Sequence, residues 1–300
     1  MPSCMENNTM QVCKWSLPIK RWGVLLFLLG NMLVTYGQYM YGTTGLLQMP
    51  SADMQRDKTF MIGGSVLAPQ IIPSKEWWGN YYTFNYYINI TVFPWLEIGY
   101  DCVLVKAKPG IYHWVPSTYG KFVNQDRSFH GRLRVWKESW WKDWTPQVVF
   151  GLNDPGSGSW EGGASSFDQR TNGFFCRYYV AATKHINFQQ YGQLGVHVAY
   201  AWKMKRIDEL KGRQRNVKGL CVGMNYRFDL PYNGTWTRSA LNGLNLMAEY
   251  DSESVNVGFH YSFWKDYINA IVELNRCKYF SGGLVFKLHL RVSSQKLAHN

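Results

Sequence analysis

Residues 280–291 read FSGGLVFKLHLR, and they alternate. Phe280, Gly282, Leu284, Phe286, Leu288 and Leu290 fall on one face, and Ser281, Gly283, Val285, Lys287, His289 and Arg291 on the other. A period of two over about ten residues is a strand with one apolar and one polar face. About ten residues is also the length a tilted strand needs to cross a bilayer. The pattern recurs. Tyr82, Phe84, Tyr86, Ile88, Ile90 and Val92 oppose Tyr81, Thr83, Asn85, Tyr87, Asn89 and Thr91. Leu194, Val196, Val198, Tyr200 and Trp202 oppose Gln193, Gly195, His197, Ala199 and Ala201.

The spacing predicts strands at 58–68, 81–92, 95–105, 128–138, 145–153, 173–183, 192–203, 217–228, 242–251, 253–263, 268–275 and 280–291. A single-chain bacterial barrel requires an even strand count, and about twelve satisfies it. The expected fold is all-β: a single antiparallel transmembrane β-barrel with a short plug-like segment at its N-terminus. Soluble sandwiches alternate as well, but their strands are shorter. Aromatic clusters near strand ends also favour a barrel. Trp140, Trp141 and Trp144 share one connection, Trp77 and Trp78 another, and Trp264 with Tyr267 a third. They suit interfacial girdles; ordinary loop aromatics or a carbohydrate-stacking surface are the alternatives.

The start of the chain reads as a cleavable leader. Lys14, Lys20 and Arg21 precede a short apolar core at 24–34, and Thr35-Tyr36-Gly37 suits cleavage after Gly37. The expected division is 1–37 signal peptide, 38–57 N-terminal motif segment forming a plug, 58–291 barrel and 292–300 tail. Charged residues make up only 17%, and mean hydropathy is slightly negative. That suits strands of which only one face is apolar. The expected location is the outer membrane of a Gram-negative bacterium. The net charge of +12 favours anionic contacts, among them lipopolysaccharide and acidic polysaccharide. Export, with no zinc-finger or RNP-type motif, argues against nucleic acid.

Connections alternate long and short in the first half: 69–80, Phe93-Pro94, 106–127, 139–144, 154–172 and 184–191. Long outer loops and short periplasmic turns do this, and the N-terminus is then periplasmic. Residues 229–241 break the rule, so either a strand is miscounted or that turn is decorated. The basic stretch 203–218 suits a surface patch for anionic sugar or lipid, or a solvated loop. The inward charges are expected at Glu97, Asp101, Arg132, Arg134, Arg177, Arg227, Glu249, Glu273, Lys287 and Arg291, pairing with one another or meeting water. Facing the lumen, and any polymer in it, are Arg132, Arg134, Arg177, His197, Arg227, His260, Lys287, His289 and Arg291. The lumen is expected to be either filled by side chains or a narrow anion-tolerant pore.

No nucleophile–base pair, paired carboxylates or metal-ligand spacing stands out, and GxSxG, HExxH and phosphate-loop patterns are missing. Cys102, Cys176, Cys221 and Cys277 follow the leader in no CxxC or zinc pattern, and Cys102 and Cys176 fall on apolar faces. The expectation is therefore a non-enzymatic protein with no cofactor and no metal.

Three blocks carry a resemblance. The first runs Tyr41-Gly-Thr-Thr-Gly-Leu-Leu-Gln-Met-Pro-Ser-Ala-Asp-Met54, followed by Arg56-Asp-Lys-Thr-Phe60. The second is Asn124-Gln-Asp-Arg-Ser-Phe129, continuing to Gly131-Arg-Leu-Arg134. The third is Gly151-Leu-Asn-Asp-Pro-Gly-Ser-Gly158, followed by Phe175-Cys-Arg-Tyr-Tyr-Val-Ala-Ala-Thr-Lys184. In order and content they resemble the YjbH family of exopolysaccharide-locus outer-membrane proteins, related to GfcD. The matched positions are Gly45, Pro50, Asp126, Arg127, Asp154, Gly156, Gly158, Tyr179 and Lys184. The resemblance implies a barrel encoded with polysaccharide production or secretion genes, in a single-barrel version of longer members. It also implies periplasmic or outer-membrane partners from such a locus.

Gly42, Gly45 and Pro50 suit a non-strand segment that turns into the lumen. Asp126 and Arg127 suit an ion pair near the rim, and Gly156 and Gly158 a positive-φ turn. The expected function is export or assembly of an extracellular polysaccharide. A general small-solute channel is the alternative, followed by a barrel enzyme acting on lipid or glycan.

Overall fold

The computed structural model describes residues 42–71, 81–107, 115–155, 177–203, 219–231 and 236–290. The leader, Trp77, Trp78, Gly156, Gly158, Cys176, residues 204–218 of the basic stretch and Arg291 lie outside the described residues.

Strands β1 (Thr59–Leu67), β2 (Thr83–Phe93), β3 (Leu96–Lys106), β4 (Phe122–Trp136), β5 (Gln147–Asn153) and β6 (Arg177–Asn187) come first. Strands β7 (Gly192–Lys203), β8 (Gly219–Phe228), β9 (Leu244–Tyr250), β10 (Val255–Phe263), β11 (Ile268–Asn275) and β12 (Tyr279–His289) follow. Each pairs with its sequence neighbours, and β1 pairs antiparallel with β12 from Thr59↔His289 to Val66↔Gly282. The sheet is thus a closed barrel with no free edge.

Most strand ends fall within one or two residues of the sequence reading, and two strands run four or more residues past it. Strand β4 begins at Phe122, not 128, and β6 continues to Asn187, not 183. The extra part of β4 (FVNQDR) puts one apolar residue on each face and then four polar residues in a row, so it carries no alternation. Its pairing with β3, such as Val103↔Asp126 and Val105↔Asn124, makes it a strand. Asp126 and Arg127 therefore sit inside β4. The Arg127 side chain is exposed and donates to Gln125 Oε1 at 2.8 and 3.2 Å on its own strand.

The connections after β2, β4, β6, β8 and β10 share one end with the start of β1 and the end of β12, termed here the turn end. The other connections define the loop end. The turn after β8 is decorated: it carries a short helix α1 (Trp236–Asn242). Asn242 clasps the chain there, donating to Leu230 O at 2.9 Å and accepting from Leu230 N at 2.8 Å. The number of strands is unaffected.

Outward positions are apolar and exposed, for example Ile88, Val180, Val198 and Phe286. Exposed aromatics border this band. Trp95, Trp136, Trp140, Trp141, Trp144 and Trp264 lie at the turn end, and Tyr82, Phe84, Tyr200, Trp202, Tyr250 and Phe280 toward the loop end. Cys102 also points outward, and Cys102, Cys221 and Cys277 are free thiols.

Candidate functional site: the lumen and its hairpin

The interior is built around residues 42–55, all of them buried. They form a tight hairpin, with a Gly45↔Pro50 bridge and a turn closed by Leu46 N donating to Met49 O at 3.2 Å. Gly42 has φ 85°, a conformation open to glycine at little cost. The hairpin goes in and comes out through the turn end. Thr44 meets Glu97 near the start of β3, the tip meets Glu249 near the loop-end terminus of β9, and Asp53 meets Gln147 at the start of β5.

The wall makes room for it. Five inward positions on β6, β7 and β8 are small: Ala181, Ala199, Ala201, Cys221 and Gly223. Leu46, Leu47, Met49, Ala52 and Met54 pack into one apolar cluster with the first four of these. A Cβ on Gly223 would lie 2.5 Å from Leu46 Cδ1 and 2.7 Å from Met49 Sδ, so glycine there is a condition of the tip's seat. Two inward tyrosines use glycines in the same way. Tyr179 lies over Gly151, where an added Cβ would be 2.0 Å from its Cζ. Tyr87 lies over Gly63, where the distance would be 2.6 Å.

Buried polar groups hold the hairpin's backbone. Glu249 accepts the N–H of Leu47 at 2.9 Å, of Gln48 at 2.6 Å and of Met49 at 3.2 Å. Glu97 accepts Thr44 N–H at 2.7 Å, and Thr183 Oγ1 accepts Ala52 N–H at 2.9 Å. Gln48 Nε2 donates to Glu273 at 2.8 Å. Arg132 is the central cation. It pairs with Glu97 at 2.8 Å with both side chains wholly buried, donates to Tyr179 Oη at 3.0 Å, and reaches the carbonyls of Ser51 and Asp53.

The inward charges thus meet the hairpin backbone as much as one another, which alternation could not show. Arg177 donates to Asn153 Oδ1 at 3.3 Å and Gln48 O at 3.4 Å. Lys287 pairs at 3.0 Å with Asp266, an acid folded in from the turn after β10, and His289 lies 3.7 Å from the same carboxylate. His197 bridges Thr183 at 2.9 Å and Asn225 at 2.7 Å. His260 is buried, with neither ring nitrogen hydrogen bonded. Arg134 and Arg227 are half-buried inward residues nearer the turn end. Among the family-motif positions, Gly45 and Pro50 shape the hairpin. Asp154 is buried, and the positive φ described in that connection, 48°, is its own.

Lys184 faces outward and pairs at 3.1 Å with Glu138. Glu138, in the turn after β4, also accepts the His185 backbone N–H at 2.8 Å and contacts its Nδ1 at 2.7 Å. Burial works against the Glu138 charge, but the His185 side chain, the His185 backbone N–H and Lys184 outweigh it and bring the carboxyl down to about 2. His185 Nε2 in turn lies 3.3 Å from Asp53 of the hairpin. The sequence reading missed Glu138, Gln147, Thr183, His185 and Asp266 as site residues. Two signals pointed toward the seat: the run of small inward residues on β6–β8, and the apolar Leu46-Leu47-Gln48-Met49 between Gly45 and Pro50.

Fold and interior together define a closed antiparallel β-barrel with an apolar outer face and a lumen occupied by its own N-terminal hairpin. Residues 37–299 match the family YjbH, described as exopolysaccharide biosynthesis protein YbjH. The chain belongs to the YjbH family. It is also 29% identical over 117 residues to a protein of Escherichia coli (strain K12) named uncharacterized lipoprotein YjbH. That similarity covers 39% of this chain and 14% of the E. coli protein, so the chain matches a small part of that relative's length.

Proposed function

We propose that this chain is an outer-membrane β-barrel that acts, without catalysis of its own, in the export or assembly of an extracellular polysaccharide. The observation that carries the reading is the pairing of an exposed apolar belt with a polar, occupied interior, in a chain of an exopolysaccharide family. A soluble protein would not leave Ile88, Ile62 and Phe286 exposed side by side on neighbouring strands, with girdles of Trp and Tyr. In this reading the leader is cleaved, and the turn end faces the periplasm. The barrel then contacts outer-membrane lipid and lipopolysaccharide and works with envelope proteins of the same locus. The name of the E. coli relative, a lipoprotein, fits an envelope setting.

An open small-solute channel fits less well, because the inward side chains Asn89, Thr91, Glu97, Arg132, His197 and Glu273 are wholly or nearly wholly buried. The test is deletion of the gene and measurement of surface polysaccharide, with complementation by this chain. Polymer unchanged in amount and structure would overturn the proposal. A steady conductance of the purified wild-type protein in planar bilayers would favour the channel. An activity on lipid or glycan that is lost on substitution of an inward His or Glu would favour an enzyme.

A further inference from the structure

Resting on that reading, we propose that the seat of residues 42–55 is a binding track for one extended, hydroxyl-rich glycan chain, neutral or amine-bearing, and that the hairpin occupies this track when the barrel is at rest. Beside the apolar packing of the tip, the wall's polar groups recognise the hairpin largely through its backbone. Glu97, Glu249 and Thr183 accept N–H groups from Thr44, Leu47, Gln48, Met49 and Ala52, and side-chain identity matters little to them. A carboxylate that accepts two or three closely spaced donors is equally suited to the neighbouring hydroxyls of a sugar ring, by charge-assisted hydrogen bonds. The same wall carries two wholly buried tyrosines, Tyr87 and Tyr179, against which the C–H face of a sugar can pack.

The wall also has hydrogen-bonding capacity that the hairpin does not use. His260 presents both ring nitrogens, Asn245 its Nδ2, Asn89 its Oδ1 and Thr91 its Oγ1 without a partner, and all four residues are fully buried. A hydroxyl donates and accepts at once, so a glycan can satisfy such a mixed set.

Charge selects the class. Of the buried cations, Arg132 and Lys287 are each paired with a carboxylate and Arg177 donates to the neutral Asn153 and Gln48 carbonyls, whereas amide donors meet Glu249 and Glu273. An anionic chain in this track would face those carboxylates at short range and in a low dielectric. The dimensions agree. Barrels of about eight strands are filled by side chains and those of about sixteen hold an aqueous channel, so twelve strands leave the width of a slender chain. The hairpin can also withdraw without unthreading. Both its arms lie at the turn end, and it joins β1 through the short link 56–58.

Three variants in planar bilayers test this. Glu249→Gln weakens the seat of the tip, and Gln48→Ala is a milder change should the first fail to fold. Ala52→Cys/Thr183→Cys, placed where Ala52 N meets Thr183 Oγ1 at 2.9 Å, pins the hairpin once mass spectrometry shows the two cysteines joined. Folding is checked by heat-modifiable migration on gels. The expected result is that wild type is closed and the weakened variants open about tenfold more often, the loss of one charge-assisted bond. Added to a weakened variant, the oxidised cysteine pair keeps it closed until dithiothreitol is added. The open state is cation-selective and is blocked by malto-oligosaccharides at lower concentration than by oligogalacturonate. A folded barrel that stays closed in both weakened variants overturns the removable hairpin. Anion selectivity, or tighter block by oligogalacturonate, overturns the glycan class. Normal polysaccharide in the deletion strain would sink the function proposed above and leave these conductance results standing.

Discussion

The Glu97–Arg132 pair shows how a single contact couples wall to hairpin. Both side chains are wholly buried, and each also holds hairpin backbone. Such pairs contribute little beyond a hydrophobic replacement, but removing one partner strands a buried charge and costs about 3–5 kcal/mol. Arg132→Met should therefore lower stability to urea by that amount, and Glu97→Gln in the same background should recover part of it. A loss under about 1 kcal/mol would mean that water reaches the site. Gly151 makes a steric counterpart. A methyl there would collide with the Tyr179 ring at 2.0 Å, whereas one on Gly131 meets only Leu152 at 3.6 Å. Gly151→Ala should cost about 1–3 kcal/mol, and Gly131→Ala should be nearly neutral. Combined with Tyr179→Ala, the Gly151→Ala cost should largely vanish in a double-mutant cycle of denaturation midpoints. Additive costs would mean that the ring does not lie over the glycine.

The turn after β4 is fastened to β6 by Glu138, which takes the His185 N–H and pairs with Lys184. Its carboxyl is held near 2, below its ordinary 4.5. A depressed acid contributes its stabilisation above the unfolded value and loses it as pH falls through the folded one. The clasp should then be complete above about 4.5 and weaken only toward about 2. Hydrogen exchange at the His185 amide should stay protected at pH 3.5 in wild type. In Glu138→Gln it should be roughly tenfold faster even at pH 7. Release of wild type at pH 4 to 5 would contradict the clasp. Strands were readable wherever apolar and polar residues alternated, and β7 and β11 match their expected spans end to end. The start of β4 was not, because Asn124, Gln125, Asp126 and Arg127 offer no apolar face and only pairing with β3 orders them. The plug was expected from Gly42, Gly45 and Pro50. Its anchors were hidden, because Glu249 accepts backbone N–H groups some two hundred residues away, and a backbone donor leaves no mark on residue choice.

The closed barrel turns one periodicity into two surfaces, and each strand contributes to both. The inward row was legible as polar, but not which charges would pair: Asp266 comes from a turn, and turns have no period to extrapolate. The outward row was legible as apolar, and its depth profile yields a test of the membrane reading. Val198 lies mid-strand on β7, with exposed aromatics bordering it at the turn end and the loop end. Tyr191 is exposed in the turn just before the same strand. If the belt is a bilayer slab, an arginine at mid-height must be drawn into hydrocarbon, whereas one at the rim keeps its headgroup and water contacts. Val198→Arg should then cost about 2–4 kcal/mol and Tyr191→Arg about 0–1 kcal/mol in reversible unfolding from lipid vesicles. In detergent-free buffer the contrast has no physical basis, since both positions would be hydrated. Equal costs at the two positions in lipid would show that the exposed belt marks contact with another protein, and the outer-membrane assignment would fall with it.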